Sequence, residues 1–177
     1  MPMTDNETIS LFQALSAGME NVKPDQGGGG NWPANGTYEC IVTELSLNAG
    51  DDVTFGAKES GMPGFIMQFK YLRLKDPNAA GGATPVNGEY YRFPKPSVDL
   101  SKLTAGQQQN LDILKQKLAG FIVAILGRNP SNNLGADILA LQKKLATGKV
   151  VCEIRFNEKE SGQYTNRDSY CVSCLSS

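Results

Sequence analysis

The chain has 177 residues, 40% hydrophobic and 20% charged, with four cysteines and no histidine. That size and apolar content suit one domain with a real core and an appendage, and no apolar run approaches the ~20 residues that span a bilayer. The start, Met1 to Glu20, lacks the basic region and long apolar core of a secretory signal, so a soluble, cytoplasmic protein with reduced thiols is expected.

The formal net charge of −1 hides an asymmetry. Residues 1–60 hold 2 basic and 9 acidic side chains, whereas residues 61–177 hold 15 and 9. The front end is acidic and the rest mildly basic, which would draw a polyanion to the later part.

In chain order, Ile9, Leu11, Phe12, Leu15 and Met19 form a short amphipathic pattern, enough for a helix of about three turns that needs a partner surface. Asn21 to Asn31 contains Gly27-Gly28-Gly29-Gly30 and reads as a flexible linker. It is not a phosphate loop, because no Gly-Lys-Ser/Thr follows and no strand precedes it. Residues 1–31 are thus expected to be an acidic, flexible segment and 32–177 the folded domain, starting at Trp32-Pro33.

Gly36 to Leu47 is a long strand whose apolar parity changes near Thr43 or Glu44, which fits a bulge that bends one strand between two halves of a barrel. Asn48 to Gly64 reads as a polar loop, in which Phe55, Lys58 and Met62 are candidates for a mobile flap. Phe65 to Leu74 is the second strand, with Phe65, Met67, Phe69 and Tyr71 on one face and Ile66, Gln68, Lys70 and Leu72 on the other. Asp76 to Asn87 reads as a loop. Gly88 to Phe93 is the third strand, closed by Pro94 and Pro96.

A helical block then runs from Thr104 to Gly148. Thr104-Ala-Gly-Gln107 is a capping box, and Leu111, Leu114, Leu118, Phe121, Ile122 and Ile125 form one stripe that ends at Gly127. A second helix starts after Asn132 or Asn133, buries Leu134, Ile138, Leu141 and Leu145, and stops at Gly148. Lys115, Lys117, Lys143 and Lys144 read as solvent-facing charge.

Lys149 to Phe156 alternates, with Val150, Cys152, Ile154 and Phe156 inward. Asn157 to Gly162 reads as a hairpin loop. Gln163 to Cys174 is the last strand, burying Tyr170, Val172 and Cys174. The predicted fold is mainly β with an α insertion: a five-stranded OB-fold-like barrel with a helical block between strands 3 and 4.

Three pieces carry a family likeness: Trp32-Pro33 with Gly36-Thr37-Tyr38; the Gln109, Leu111, Leu114, Leu118 helix ending near Gly127; and Thr147-Gly148-Lys149-Val150-Val151 leading to Ser161-Gly162-Gln163-Tyr164-Thr165-Asn166. On these the chain resembles phage-encoded single-stranded-DNA-binding proteins of the OB-fold type. The resemblance implies a non-sequence-specific single-stranded-DNA-binding protein of phage DNA replication or recombination, working without a cofactor in the infected bacterial cell. Such proteins often end in an acidic tail that recruits replication partners. The sequence departs from that pattern in ending Cys174-Leu175-Ser176-Ser177, so the expectation is either that the tail mechanism does not apply or that it moves to the acidic N-terminal segment, a candidate surface for phage or host replication proteins.

Single-strand binding needs cations for phosphates and aromatic faces for bases. Strands two and three supply Lys70, Tyr71, Arg73, Tyr90, Arg92 and Lys95; the last hairpin adds Arg155, Lys159, Tyr164 and Arg167. Lys70, Tyr90 and Arg92 are expected outward, Phe69 and Phe93 in the core.

Other chemistry is poorly represented. Cys171-Val172-Ser173-Cys174 has the spacing of a metal-binding pair, with Cys40 and Cys152 as further ligands, but strand parity turns the two side chains to opposite faces. No metal is therefore expected. Asp51-Asp52 reads as solvated surface. Without histidine, paired carboxylates or a nucleophile elbow, no enzyme is expected. The alternative is a structural or assembly barrel that makes protein contacts in a virion or replisome. Exposed strands also allow a homodimer.

Overall fold

The computed structural model describes residues 2–22, 36–50, 52–56, 59, 61–73 and 84–176, with backbone alone at 84–90, 158, 161 and 164–167. Trp32-Pro33 and the glycine run lie outside the described residues. The protein is mixed α/β: a curled antiparallel half-barrel of five long strands with three helices.

The strands are β1 (Gly36–Asn48), β2 (Thr54–Phe55), β3 (Met62–Arg73), β4 (Thr84–Pro94), β5 (Val151–Ser161) and β6 (Tyr164–Ser176). The long ones pair in the order β4-β3-β1-β5-β6, and the two-residue β2 pairs with the start of β3. β1 serves both halves: Gly36 to Ile41 pair with β5, and Cys40 to Asn48 pair with β3. The expected bulge is present, since the β1–β3 register shifts between Val42 and Glu44. Burial follows it, from Cys40 and Val42 before the shift to Leu45 and Leu47 after it. An extra residue reverses the parity, so the strand keeps its apolar side inward while it bends.

The helices are α1 (Asp5–Gln13), α2 (Ala105–Leu126) and α3 (Leu134–Leu145), and the last two stand between the third and fourth long strands as expected. Thr104 and Gln107 form the predicted capping box of α2, and Gly127 caps its end at φ 68°. Every residue of both predicted stripes is buried. Asn133 caps α3 by accepting from the amide of Ala136 at 3.0 Å. The turn before it is held by Asp137, which is buried, pairs with Arg128 at 2.7 Å and accepts from the amide of Ser131 at 2.8 Å.

Two aromatic groups fill the sheet's concave side. Phe121 of α2 lies flat on Phe69, with centroids 3.8 Å apart, and parallel to Tyr71 at 6.4 Å. At the other end Phe12 of α1 meets Phe65 edge-on at 5.4 Å, and Phe65 stacks on Phe93 at 5.6 Å. A fully buried Phe contributes about 1.5–3 kcal/mol by burial alone. Phe12 therefore makes α1 part of the body.

This corrects the expected division at residue 31. Leu11, Phe12, Leu15 and Met19 are buried, and Ser16 Oγ accepts from the amide of Leu134 at 2.9 Å, so residues 2–22 pack with α3 and the sheet. The partner surface that so short a helix requires is supplied by the same chain. Ile9, counted in the apolar pattern, is exposed. The α1–α3 crossing is close: a Cβ on Gly135 would stand 2.5 Å from Ile9 Cα.

Several other expectations change. The region 48–64 is not wholly loop, because Phe55 lies on β2 opposite Met62 and is fully buried, which removes it as a flap residue. Lys58 lies outside the described residues. β4 begins at Thr84, earlier than Gly88. The expected loop 157–162 is mostly strand: β5 and β6 remain paired to Ser161↔Tyr164, turning through Gly162 and Gln163. Gly162 has φ 62°, the left-handed turn conformation that costs glycine least. The sequence of residues 157–163 is polar throughout, so no apolar alternation announces the strand there.

The parity of β6 is also reversed. Ser169 and Cys171 are buried, Val172 is exposed, and Tyr170 and Cys174 are half-buried. Two register shifts in the β5–β6 ladder, at Val151/Cys152 and Glu153/Ile154, displace the pattern. No helix among the described residues is long and apolar enough to cross a membrane.

Candidate nucleic-acid interface

The outer side of the sheet carries the side chains that the core parity excludes. On β3 these include Ile66, Gln68 and Lys70; on β4, Arg92 stands opposite Ile66 and is exposed. On β5, Arg155 stands between Thr37 of β1 and Tyr170 of β6 and is also exposed. Lys159 is exposed further along the same strand, opposite Asn166.

Lys70 is not a free cation. Its Nζ lies 2.8 Å from Glu44 Oε2 on β1, and both side chains are about half exposed, at 42% and 51%. Such a pair contributes about 0–1 kcal/mol, so a phosphate can compete for the lysine at small cost. Lys95, just past β4, is half-buried, and its amide donates to the carbonyl of Pro63 at 2.8 Å.

Tyr71 is a correction: it faces the core, is 2% exposed, and its hydroxyl lies 3.3 Å from Ser169 Oγ. Its parity with Phe69 carries it inward with that residue. Arg73 shares the same parity at the end of β3, where the core opens. Its guanidinium carbon sits 5.1 Å from the ring centroid of Tyr38, and its Nε is buried without a hydrogen-bond partner among the described residues. Tyr38 is not among the expected site residues, although its alternation with Cys40 puts it on the same side of β1.

The side chains of Tyr90, Tyr164 and Arg167 lie outside the described residues. Their backbones stand opposite Gln68, Ser161 and Glu158 respectively.

Those of the predicted residues whose side chains are described do not make one continuous patch. Lys70 and Arg92 belong to the β3–β4 half, Arg155 and Lys159 to the β5–β6 half, and β1 runs between them. It presents Glu44 beside Lys70, and Glu39 directly opposite Glu153 of β5. Two basic groups thus flank an acidic middle. Strand assignment shows which residues face out, but this division depends on which strands become neighbours.

A cleft of about 420 Å³ lies over the β1–β3 part of this face. Glu44, Ser46, Ile66 and Gln68 line it from the sheet, and Met3 and Thr8 from the N-terminal segment. Asp5 and Glu7 sit in the first turn of α1, between Met3 and Thr8 in the chain. The Glu7 carboxyl accepts from the amide and hydroxyl of Thr4, which lowers its pKa and keeps it charged.

No family model, curated protein or solved structure matches the chain.

Lys117 is a further correction. In place of the expected solvent-facing position, its side chain is 7% exposed and ion-paired with Asp168 of β6. Its Nζ lies 5.6 Å from the ring centroid of Tyr91 and 4.9 Å from that of Tyr170. Tyr170 donates to the other oxygen of Asp168. Helical position alone misplaces Lys117, because α2 packs along an edge strand and is covered on more than its apolar stripe. Lys115 on the same helix has a lowered pKa, chiefly from desolvation, with Asp112 opposing.

Proposed function

We propose that the chain is an OB-type, non-sequence-specific single-stranded-DNA-binding protein acting in phage DNA replication or recombination, a binding protein and not an enzyme. The observation that carries this reading is the pairing order β4-β3-β1-β5-β6, with one bulged strand shared by two halves and a helical block between the third and fourth long strands. In OB barrels the second and third strands form the binding face, and here those are β3 and β4, which carry Lys70 and Arg92. Arg155 and Lys159 extend the basic surface beyond β1. Tyr90, by its position on β4, is the candidate for base stacking, and Arg73 with Tyr38 marks one end of the path.

The acidic first turn of α1, flanked in the chain by the cleft residues Met3 and Thr8, supports a regulatory role for the N-terminus. Asp5 and Glu7 repel phosphates from the β1–β3 end of the face and offer an acidic surface to phage or host replication proteins. The proposed setting is the cytoplasm of the infected bacterial cell.

A second reading is favoured by Val172 and Leu175. Both are exposed on β6, the strand that ends the pairing order among the described residues. They suit an assembly protein that joins a neighbour, or a second copy, along that edge. Fluorescence anisotropy of a labelled oligo-dT with the full chain separates the two. The DNA reading expects saturable binding at about 50 mM salt that weakens strongly by about 200 mM. The assembly reading expects unchanged anisotropy and a concentration-dependent mass in solution.

A further inference from the structure

Strands β1, β5 and β6 lie side by side, and their register places Cys40 opposite Cys152 and Cys152 opposite Cys174. The bulges in the β5–β6 ladder put Cys171 opposite Ile154, so that Cys171 and Cys174 both stand opposite buried, core-facing residues of β5. This corrects the expectation that Cys171 and Cys174 point to opposite faces. All four cysteines are free thiols. Among the described residues no group of three or more His, Cys, Asp or Glu is arranged to hold a metal ion.

The four differ in access. Cys40, Cys152 and Cys171 are buried, whereas Cys174 is half-buried near the end of an edge strand. Facing residues of antiparallel strands have Cα atoms about 4.5–5.5 Å apart, within the span of roughly 4.4–6.8 Å that a disulfide bridges. Cys152 and Cys174 therefore meet the spacing requirement, and one of them is within reach of a small reagent.

We propose that Cys152 and Cys174 are an oxidisable thiol pair, which an oxidant of the peroxide class converts to a cross-strand disulfide joining β5 to β6. The Cys174 thiolate attacks one peroxide oxygen, the O–O bond breaks, and water leaves after taking up a proton, so that Cys174 becomes a sulfenic acid. The Cys152 sulfur then attacks that sulfur, the S–O bond breaks, and the oxygen departs as a second water with the Cys152 proton. Two thiols are oxidised, one peroxide is reduced, and two waters form. The product locks the end of β6 onto β5 beside the bulge.

Burial pushes the Cys174 thiol up to about 11, so its thiolate is scarce at neutral pH. Because the thiolate is the nucleophile, the rate rises about tenfold per pH unit between about pH 7 and 9.

The test treats the full chain with excess hydrogen peroxide at about pH 8.5. Free thiols are counted after unfolding, and fragment-ion mass spectrometry locates the link. The expected result is loss of two of the four thiols, an intact mass lower by two hydrogen atoms, and a link between Cys152 and Cys174. Cys174→Ser should then keep its three thiols under the same dose, while Cys171→Ser loses two. Retention of all four thiols, oxygen addition at Cys174 with the Cys152 thiol intact, or a link at Cys171 would each overturn the proposal. Link mapping on the unsubstituted chain decides the matter even if a variant folds poorly.

Discussion

The Tyr91 hydroxyl donates to the backbone carbonyl of Ser169 at 2.9 Å, and so connects β4 to β6, the two strands at the ends of the pairing order. Ser169 is fully buried, and its hydroxyl lies 3.3 Å from that of Tyr71 on β3. Beside this bond the Lys117–Asp168 pair crosses from α2 to β6. Side chains and a helix, in place of a backbone ladder, therefore hold the two ends of the half-barrel together. Tyr91→Phe leaves a buried carbonyl without this donor and should cost about 1–2 kcal/mol, read from the urea midpoint at unchanged slope. An unchanged midpoint would mean that the bond contributes nothing to closing the seam.

Lys117→Ala should be more damaging, because it leaves Asp168 without its cation in a place that is three-quarters covered. Breaking a buried pair from one side costs about 3–5 kcal/mol, and the lower end applies here since Asp168 keeps some water. The double variant Lys117→Ala, Asp168→Asn keeps the truncation but removes the orphaned charge, and should recover much of that loss. If the double variant is as unstable as the single one, lost packing is the cause and lost charge pairing is not.

Gly135→Ala should destabilise by about 1–3 kcal/mol, because the new methyl meets the backbone of α1 and no flexible side chain can yield. Amide exchange should rise first in residues 5–13. Alanine has the higher helix propensity, so an increase in stability would show that α1 does not cross α3 this closely.

Phe12→Ala should cost about 3–5 kcal/mol, as expected of a buried ring that touches Phe65 and Phe93. This makes deletion of the N-terminal segment a poor test of its acidity, since it would uncover the core. Asp5→Asn with Glu7→Gln keeps the segment and removes the charge. DNA affinity should rise several-fold if those acids repel phosphate, and a protein whose affinity is unaltered has no such competitor.

Much of the fold could be read from residue order because each signal was local. The Thr104–Gln107 box, the two apolar stripes and the parity change in β1 each declare themselves within a few residues. The division of the basic face by Glu39 and Glu44 could not be read, because it depends on β1 lying between β3 and β5. The same holds for Lys117: a lysine on the polar side of a helical stripe reads as solvated until β6 is placed against it. Tyr71 shows a different failure. Its core parity with Phe69 was evident, but its residue type also suited base stacking, and burial decides between the two. The β6 pattern was lost to its bulges, which carry no sequence mark of their own.

The dependence of single-stranded-DNA affinity on salt, compared between the unaltered chain and Arg92→Ala/Arg155→Ala, tests the central claim most directly. For single strands the slope of log K against log salt is about −0.7 per neutralised phosphate. The unaltered chain should show a clearly negative slope, and loss of two exposed arginines from opposite flanks of β1 should make it shallower by about 1.4 while weakening binding alike for every sequence. An affinity and slope that the double variant leaves unchanged, or no binding at low salt, would contradict the placement of DNA on this face.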